Sequence, residues 1–462
     1  MNSKTSLYRD VYKTIPLSAW FILGTVCNVS SQDVSSSNRT SFLSHNVSVG
    51  QEVTASKSVM RTEWTPEAVK WQAKIAGYGQ SMPVIQDSVV FVTSVQGENK
   101  DNYSLEAFSI NTGKRIWEVS TKNSHPVAST PMVSRSAPTP VVDEKGIYVF
   151  YESGDMVAVS LDGKLLWQID LQSMYGNLEN EFGLSASPVQ TLDSVIVLVD
   201  HDGPSYLVAI NKADGKEKWR VDRGKRYRSW GSPGIVRVNG IDVVVCSSAG
   251  TIDGYDAATG RQLFTHDEVG GNTAATPIDL GRHQFLVSSL IRPSDGPSEF
   301  ALESNLLAEI ISTDDEWRLE VKWIAQDARG SFCSPVASEK FCYFISPQGI
   351  LYCLDRSSGE ELYHERLACG MCWATPIVHG EYVYLFGKSG QTMTIKDSGH
   401  FEVVADDNRV WTEDDPTILP ATGESKAPES IRDRMKGGTQ YGAIAIDSGF
   451  LIRRGDQLYF VK

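Results

Sequence analysis

The sequence lacks the residue patterns that most enzyme classes need. No glycine-rich loop leads from a strand into a helix, no His-Glu-x-x-His pair occurs and no nucleophile elbow is present, so nucleotide-dependent and hydrolytic chemistry have no anchor here. The eight histidines are scattered. Cysteine is scarce: seven in 462 residues is too few for a disulfide-built scaffold, and a chain of this length buries an ample core without one. No two cysteines are adjacent. Basic residues are outnumbered, 43 against 57 acidic ones, and the net charge of −14 repels nucleic acid and anionic lipid. Helical periodicity is nearly absent.

The apolar run at the N-terminus, residues 15–26, is 12 residues long, short of the ~20 a spanning helix requires. Lys4, Arg9 and Lys13 precede it and the small residues Val29, Ser30 and Ser31 follow, the order of a secretory signal peptide. The expectation is export to the periplasm or cell envelope, with residues 1–31 removed and no integral membrane segment left. A lipid-modified Cys27 or an uncleaved N-terminal anchor is the alternative. Residues 32–62, rich in Ser, Asn and Thr, read as a flexible spacer, and 63–462 as the folded body.

What fills that body is a repeat with a period near 50 residues. Turns centred on Gly113, Gly163, Gly215, Gly260 and Gly359 are each followed four residues later by an aromatic: Trp117, Trp167, Trp219, Phe264 and Tyr363. A degenerate copy around Asp314 and Asp315 has Trp323. Between turns lie β-branched and aromatic runs such as Val195-Ile196-Val197-Leu198, the composition of strands packed on both faces. Prolines 83, 140, 188, 233, 277, 335 and 376, with Ala443 in the last copy, mark strand starts. Eight starts, and eight outer positions from Trp71 to Val403, predict an all-β, eight-bladed β-propeller of four-stranded antiparallel blades. The N-terminal strand at Trp71 is expected to complete the last blade. Seven blades is the alternative, because the fifth copy is degraded.

The phrases Thr375-Pro376-Ile377-Val378 with Tyr382-Val383-Tyr384, Met156-Val157-Ala158-Val159-Ser160-Leu161-Asp162-Gly163 and Leu351-Tyr352-Cys353-Leu354-Asp355 resemble the repeat of the quinoprotein-type, pyrroloquinoline-quinone-like β-propellers. That resemblance covers roughly 64–462 and implies two branches. One is the quinone-dependent dehydrogenases, whose cofactor lies over a Trp under adjacent cysteines, with Ca²⁺ on Glu, Asn and Asp. The other is non-catalytic propellers similar to the lipoprotein scaffold of the outer-membrane β-barrel assembly machinery. Without a Cys-Cys pair, and with only Glu179-Asn180-Glu181 as candidate ligands, the chain reads as the second branch. The expectation is no cofactor, no catalytic residue and a monomeric module that binds envelope proteins; a PQQ-dependent oxidoreductase with Ca²⁺ and a carbohydrate-binding propeller are the alternatives.

Candidate binding residues lie just before the strand-opening prolines, where loops should face one mouth of the channel. These are Trp230, Phe332, Trp373 and Tyr441, with the basic run Arg223, Lys225, Arg226 and Arg228. Aromatics beside guanidinium groups can stack on a peptide, a sugar or an anionic ligand. Their bland reading is packing caps and a solvated rim. Cys369-Gly370-Met371-Cys372 has redox-motif spacing but falls in a loop, where no helix dipole lowers a thiol pKa. Cys342 and Cys353 are expected to oppose each other across a hairpin turning at residues 346–349, close enough for a disulfide, with two buried free thiols as the alternative. The segment 406–440 is expected to form a long loop over one face.

Overall fold

The computed structural model describes residues 60–462 except 130–132, 181, 226–227, 249, 291–299, 315, 412–438 and 447–448. The signal-peptide expectation and most of the 406–440 loop lie outside the described residues. Eight four-stranded antiparallel sheets follow one another along the chain. They form the blades of an eight-bladed β-propeller: 84–122, 141–170, 189–225, 234–266, 278–324, 336–366, 377–408, and 440–461 completed by the N-terminal strand. The seven-blade alternative is thereby excluded. The only α-helix among the described residues is the single turn Leu171–Tyr175.

Each of the seven prolines immediately precedes the innermost strand of its blade, as at Pro83 before Val84–Gln86 and Pro376 before Ile377–His379. A proline has no amide hydrogen to leave unpaired at a strand entry, and its fixed φ suits extended chain. The ring closes where the N-terminal strand Val69–Lys74 pairs antiparallel with the C-terminal strand Gln457–Val461, Gln72 opposite Tyr459. Neither terminus then leaves an open sheet edge at the seam between first and last blade. Upstream of that strand, Met60, at the end of the expected spacer, and Trp64, at the start of the expected body, are buried in one apolar cluster with Tyr384 and Phe450.

The repeated aromatics all lie on outer strands, and the tryptophans act between blades. Trp71 Nε1–H donates to the Ile110 carbonyl of the next blade at 2.8 Å, and Trp117, Trp167, Trp219 and Trp323 repeat the bond to Leu161, Lys212, Ala257 and Arg356. The ring lies flat on the turn glycine of that neighbour. At Gly113, whose φ is +66°, a Cβ would lie 2.5 Å from the Trp71 indole. The turn glycine therefore serves twice, closing a left-handed turn and leaving room for the neighbour's indole. The outer strand also carries a bulge beside the aromatic, between the partners of Ala107 and Phe108 in the first blade and of Ala209 and Ile210 in the third. Such irregularities discourage pairing of the exposed outer edges with other chains.

The expected Cys342–Cys353 bridge is overturned by register. The hairpin pairs Cys342 with Leu354 and Tyr343 with Cys353, because its loop holds five residues, 346–350, between Ile345 and Leu351. A slip of one residue moves a side chain to the other face of the sheet. Cys342 accordingly packs with Leu280 and Trp323 on the fifth-blade side, and Cys353 with Val383 and Leu385 on the seventh-blade side, both as free thiols.

Candidate functional site at the channel mouth

The antiparallel meander places two sets of loops at the same end of the ring: those leading from an outer strand to the next inner strand, and the central hairpin turns. Side chains from successive blades therefore meet around one mouth. Phe332, before the sixth blade, contacts Trp373, before the seventh, with ring centroids 5.4 Å apart. Trp373 lies 6.1 Å from Tyr441 of the eighth, and Tyr441 lies 6.1 Å from Tyr78, before the first. Four successive junctions thus contribute one ring each to a continuous arc. The two tyrosine hydroxyls are 2.6 Å apart, and burial together with Tyr441 pushes the Tyr78 phenol far above its ordinary value.

Cations bracket this arc. The Arg135 guanidinium lies 3.9 Å above the Tyr78 ring, and Lys388 Nζ lies 5.6 Å from the Trp373 centroid. Trp373 Nε1–H donates to Met371 Sδ at 3.1 Å, which fixes the indole over its own loop. Lys388 has no carboxylate within ion-pair distance among the described residues, and burial lowers its pKa. Beneath Tyr78, the fully buried Arg453 donates to the Thr93 carbonyl at 2.6 Å and to the carbonyl and hydroxyl of Ser81 at 3.1 and 2.6 Å. Its partners are neutral oxygens, so burial dominates and pulls its pKa down to about 10. Phe332, by contrast, is 39% exposed.

The eight candidate residues separate in space. Phe332, Trp373 and Tyr441 come together; Trp230 does not join them. It packs edge-on against Phe182 at 6.0 Å, donates from Nε1 to the Gly183 carbonyl and forms a smaller cluster with Arg228, whose guanidinium is 5.6 Å above Phe182 and ion-paired to Asp202 at 3.2 Å. Arg223 is not a rim group at all. Its side chain is buried between the third and fourth blades, 3.1 Å from Asp200 and 2.9 Å from Asp253, and it donates to Tyr255 Oη at 2.7 Å. Burial works against its charge, yet Asp200 and the groups around it hold its pKa well above the ordinary value. Lys225 ends the strand Glu217–Lys225, while Arg226 and the Lys225 side chain lie outside the described residues.

Sequence reasoning missed Tyr78, Arg135, Lys388 and Arg453. Tyr78 precedes its proline by five residues where Phe332 and Trp373 precede theirs by three, so a fixed spacing passes over it. Arg135 lies in a long loop, Lys388 in a hairpin turn and Arg453 near the end of the strand Gly449–Arg454, none with a repeat signature.

Glu179 is tied through its backbone: its amide donates to His201 Nδ1 at 2.9 Å and its carbonyl accepts from the Asp202 amide at 3.1 Å. Among the described residues no three His, Cys, Asp or Glu side chains converge as metal ligands.

A family model described as outer membrane protein assembly factor BamB matches residues 29–190 and 178–365. The chain belongs to this family. Among solved structures it is similar to BamB from Moraxella catarrhalis, at 12% identity and a TM-score of 0.57, covering 85% of this chain and 96% of that one. It is also similar to the quinohemoprotein alcohol dehydrogenase ADHIIG from Pseudomonas putida, at 10% identity and a TM-score of 0.52, covering 90% and 82%. The quinohemoprotein alcohol dehydrogenase from Comamonas testosteroni matches at 10% identity and 0.50, covering 85% and 76%. At these identities the likeness is one of fold. No curated protein matches the chain in sequence.

Proposed function

We propose that this chain is a non-catalytic, exported protein-binding module of the cell envelope, and that its partner docks on the aromatic arc at the channel mouth. The observation that carries this reading is the arc itself, Phe332–Trp373–Tyr441–Tyr78, spanning four junctions with Phe332 exposed at its end. Rigid aromatic rings are typical interface anchors, since they offer large contact area at small entropic cost. Lys388 above Trp373 adds an ammonium with no carboxylate partner among the described residues, so the matching segment carries an apolar side chain with an acidic neighbour. Membership of a family described as an assembly factor, and a run of 15–26 that reads as an export signal, support the envelope as the location.

The test is site-specific photocrosslinking of the full chain in envelope preparations, with the reactive group at position 332 or, as control, at Leu192, which is 77% exposed at the opposite end of the ring. A discrete protein adduct from 332 and none from 192, lost on adding Trp373→Ala, is the expected result. No adduct at 332, or the same adducts from both positions, would remove the arc as the docking surface.

A further inference from the structure

Three of the chain's thiols meet just below the arc. Cys369 and Cys372 lie in the loop before the seventh blade, and Cys333 in the equivalent loop before the sixth. All three are buried in one apolar cluster with Val383, Leu385 and Met393. Both cysteines of the pair pack against Gly387: Cys372 forms a bridge with it, and a Cβ added there would lie 2.9 Å from Cys369 Cβ. The loop that holds the pair is pinned on both sides. The Gly370 amide donates to the Leu367 carbonyl at 3.1 Å, the Lys388 amide donates to the Met371 carbonyl at 2.7 Å, and Cys372 bridges to Gly387. Cys372 Sγ is 3.8 Å from the Gly370 carbonyl.

We propose that Cys369 and Cys372 are a redox-modified pair that closes to a disulfide at the channel mouth, in the loop that also carries Met371 and Trp373. The oxidant is a low-molecular-weight disulfide, RSSR. Cys369 is the entry thiol, being 5% exposed where Cys372 is 0%. Its thiolate attacks one sulfur of RSSR, forming a mixed disulfide and releasing one RSH after proton transfer. Cys372 then attacks the Cys369 sulfur, its proton leaves with the second RSH, and the Cys369–Cys372 bond forms; two protein thiols are oxidised as one RSSR is reduced. Cys369 beside it and burial both push the Cys372 thiol up. Closing the bond shortens the loop beneath Met371, the acceptor of the Trp373 indole N–H. The proposal is independent of what docks at the arc.

The experiment equilibrates the purified full chain with oxidised glutathione, denatures it in N-ethylmaleimide and maps tryptic peptides. Cleavage after Arg366 and Lys388 isolates 367–388, which contains Cys369 and Cys372 and no other cysteine. The expected result is that most of this peptide is unalkylated and lighter by two hydrogens, that dithiothreitol reverses this, and that tryptophan fluorescence of the folded chain shifts with it. In Cys369→Ser the shift disappears and Cys372 stays alkylatable. Recovery of 367–388 with both thiols alkylated, or joined to a peptide containing Cys333, would overturn the assignment. So would a fluorescence shift that persists in Cys369→Ser. The wild-type peptide map alone decides the matter should that variant fold poorly.

Discussion

The junction between the third and fourth blades and the junction between the fourth and fifth meet the same packing requirement in different ways. At the first, Trp219 lies on the Gly260 turn, donates its indole N–H to the Ala257 carbonyl at 3.2 Å, and is reinforced by Arg223 bridging Asp200 and Asp253. At the second, the fifth blade's outer turn is a short one in which the Thr313 amide donates to the Glu316 carbonyl, and it contains no glycine. The residue facing it is Phe264, which has no N–H to donate. Phe264 folds against Gly254 of its own blade instead, and Leu263 and Phe264 share an apolar cluster with Trp317, Leu319 and Val321. One junction later Trp323 resumes the pattern on Gly359 and the Arg356 carbonyl. The clasp therefore belongs to the junction, not the blade: a donor ring and a glycine turn some 40 residues apart must agree, and where the turn is lost the ring upstream changes with it.

The comparison can be broken most strongly at the glycine. Gly359 has φ +75° and a Cβ there would lie 2.6 Å from the Trp323 indole, whereas at Gly399, in the corresponding turn of the seventh blade, the nearest atom would be 3.5 Å away. Gly359→Val should cost roughly 2–4 kcal/mol through left-handed strain and overpacking. Gly399→Val should cost less than about 1 kcal/mol; the urea midpoints of the two variants measure the difference, and equal losses would refute the clasp. Next in size is the indole bond. Trp219→Phe keeps most of the apolar body but orphans the Ala257 carbonyl, for a loss of about 1 kcal/mol. The reverse change, Phe264→Trp, should bring no gain, since no glycine turn receives the larger ring; a raised midpoint for that variant would show that the junction merely lacks a tryptophan.

The smallest effect concerns pH and the fifth blade's inner hairpin. Burial raises the Asp279 carboxyl to about 6, offset in part by the Gly281 amide at 2.9 Å and by His283. The folded chain then holds this proton more tightly than the unfolded chain, whose value is about 3.9. The contribution is fully present below about pH 4 and is lost as pH rises through about 6. Urea midpoints between those limits should fall less with rising pH in Asp279→Asn than in the wild type, and parallel slopes would exclude Asp279 as the source.

Blade count, strand starts and outer aromatics were legible because each depends on local chemistry repeated in phase. A proline fits only where no ladder amide is required, and Gly113 or Gly260 marks a left-handed turn wherever it falls. The Cys342–Cys353 pairing failed on a different scale. One extra loop residue, invisible to composition, reverses which face each thiol occupies. Arg223 failed for the same reason: four basic residues in six read as a rim, but alternation along the strand turned this one inward to Asp200 and Asp253.

By itself, then, the sequence determined a ring of four-stranded blades closed by the N-terminal strand, since period, turn chemistry and strand composition act over short distances; its degraded fifth copy left eight blades against seven for the structure to decide. Only the tertiary structure decided which side chains share the mouth. Phe332, Trp373, Tyr441 and Tyr78 lie on separate repeats and meet because ring closure brings the eighth blade beside the first. Trp230, with an equivalent place in its own repeat, is held in a different cluster by Phe182 and Arg228. Position within a repeat fixes the end of the ring a residue faces, while its neighbours there are set by contacts between blades that no local pattern encodes.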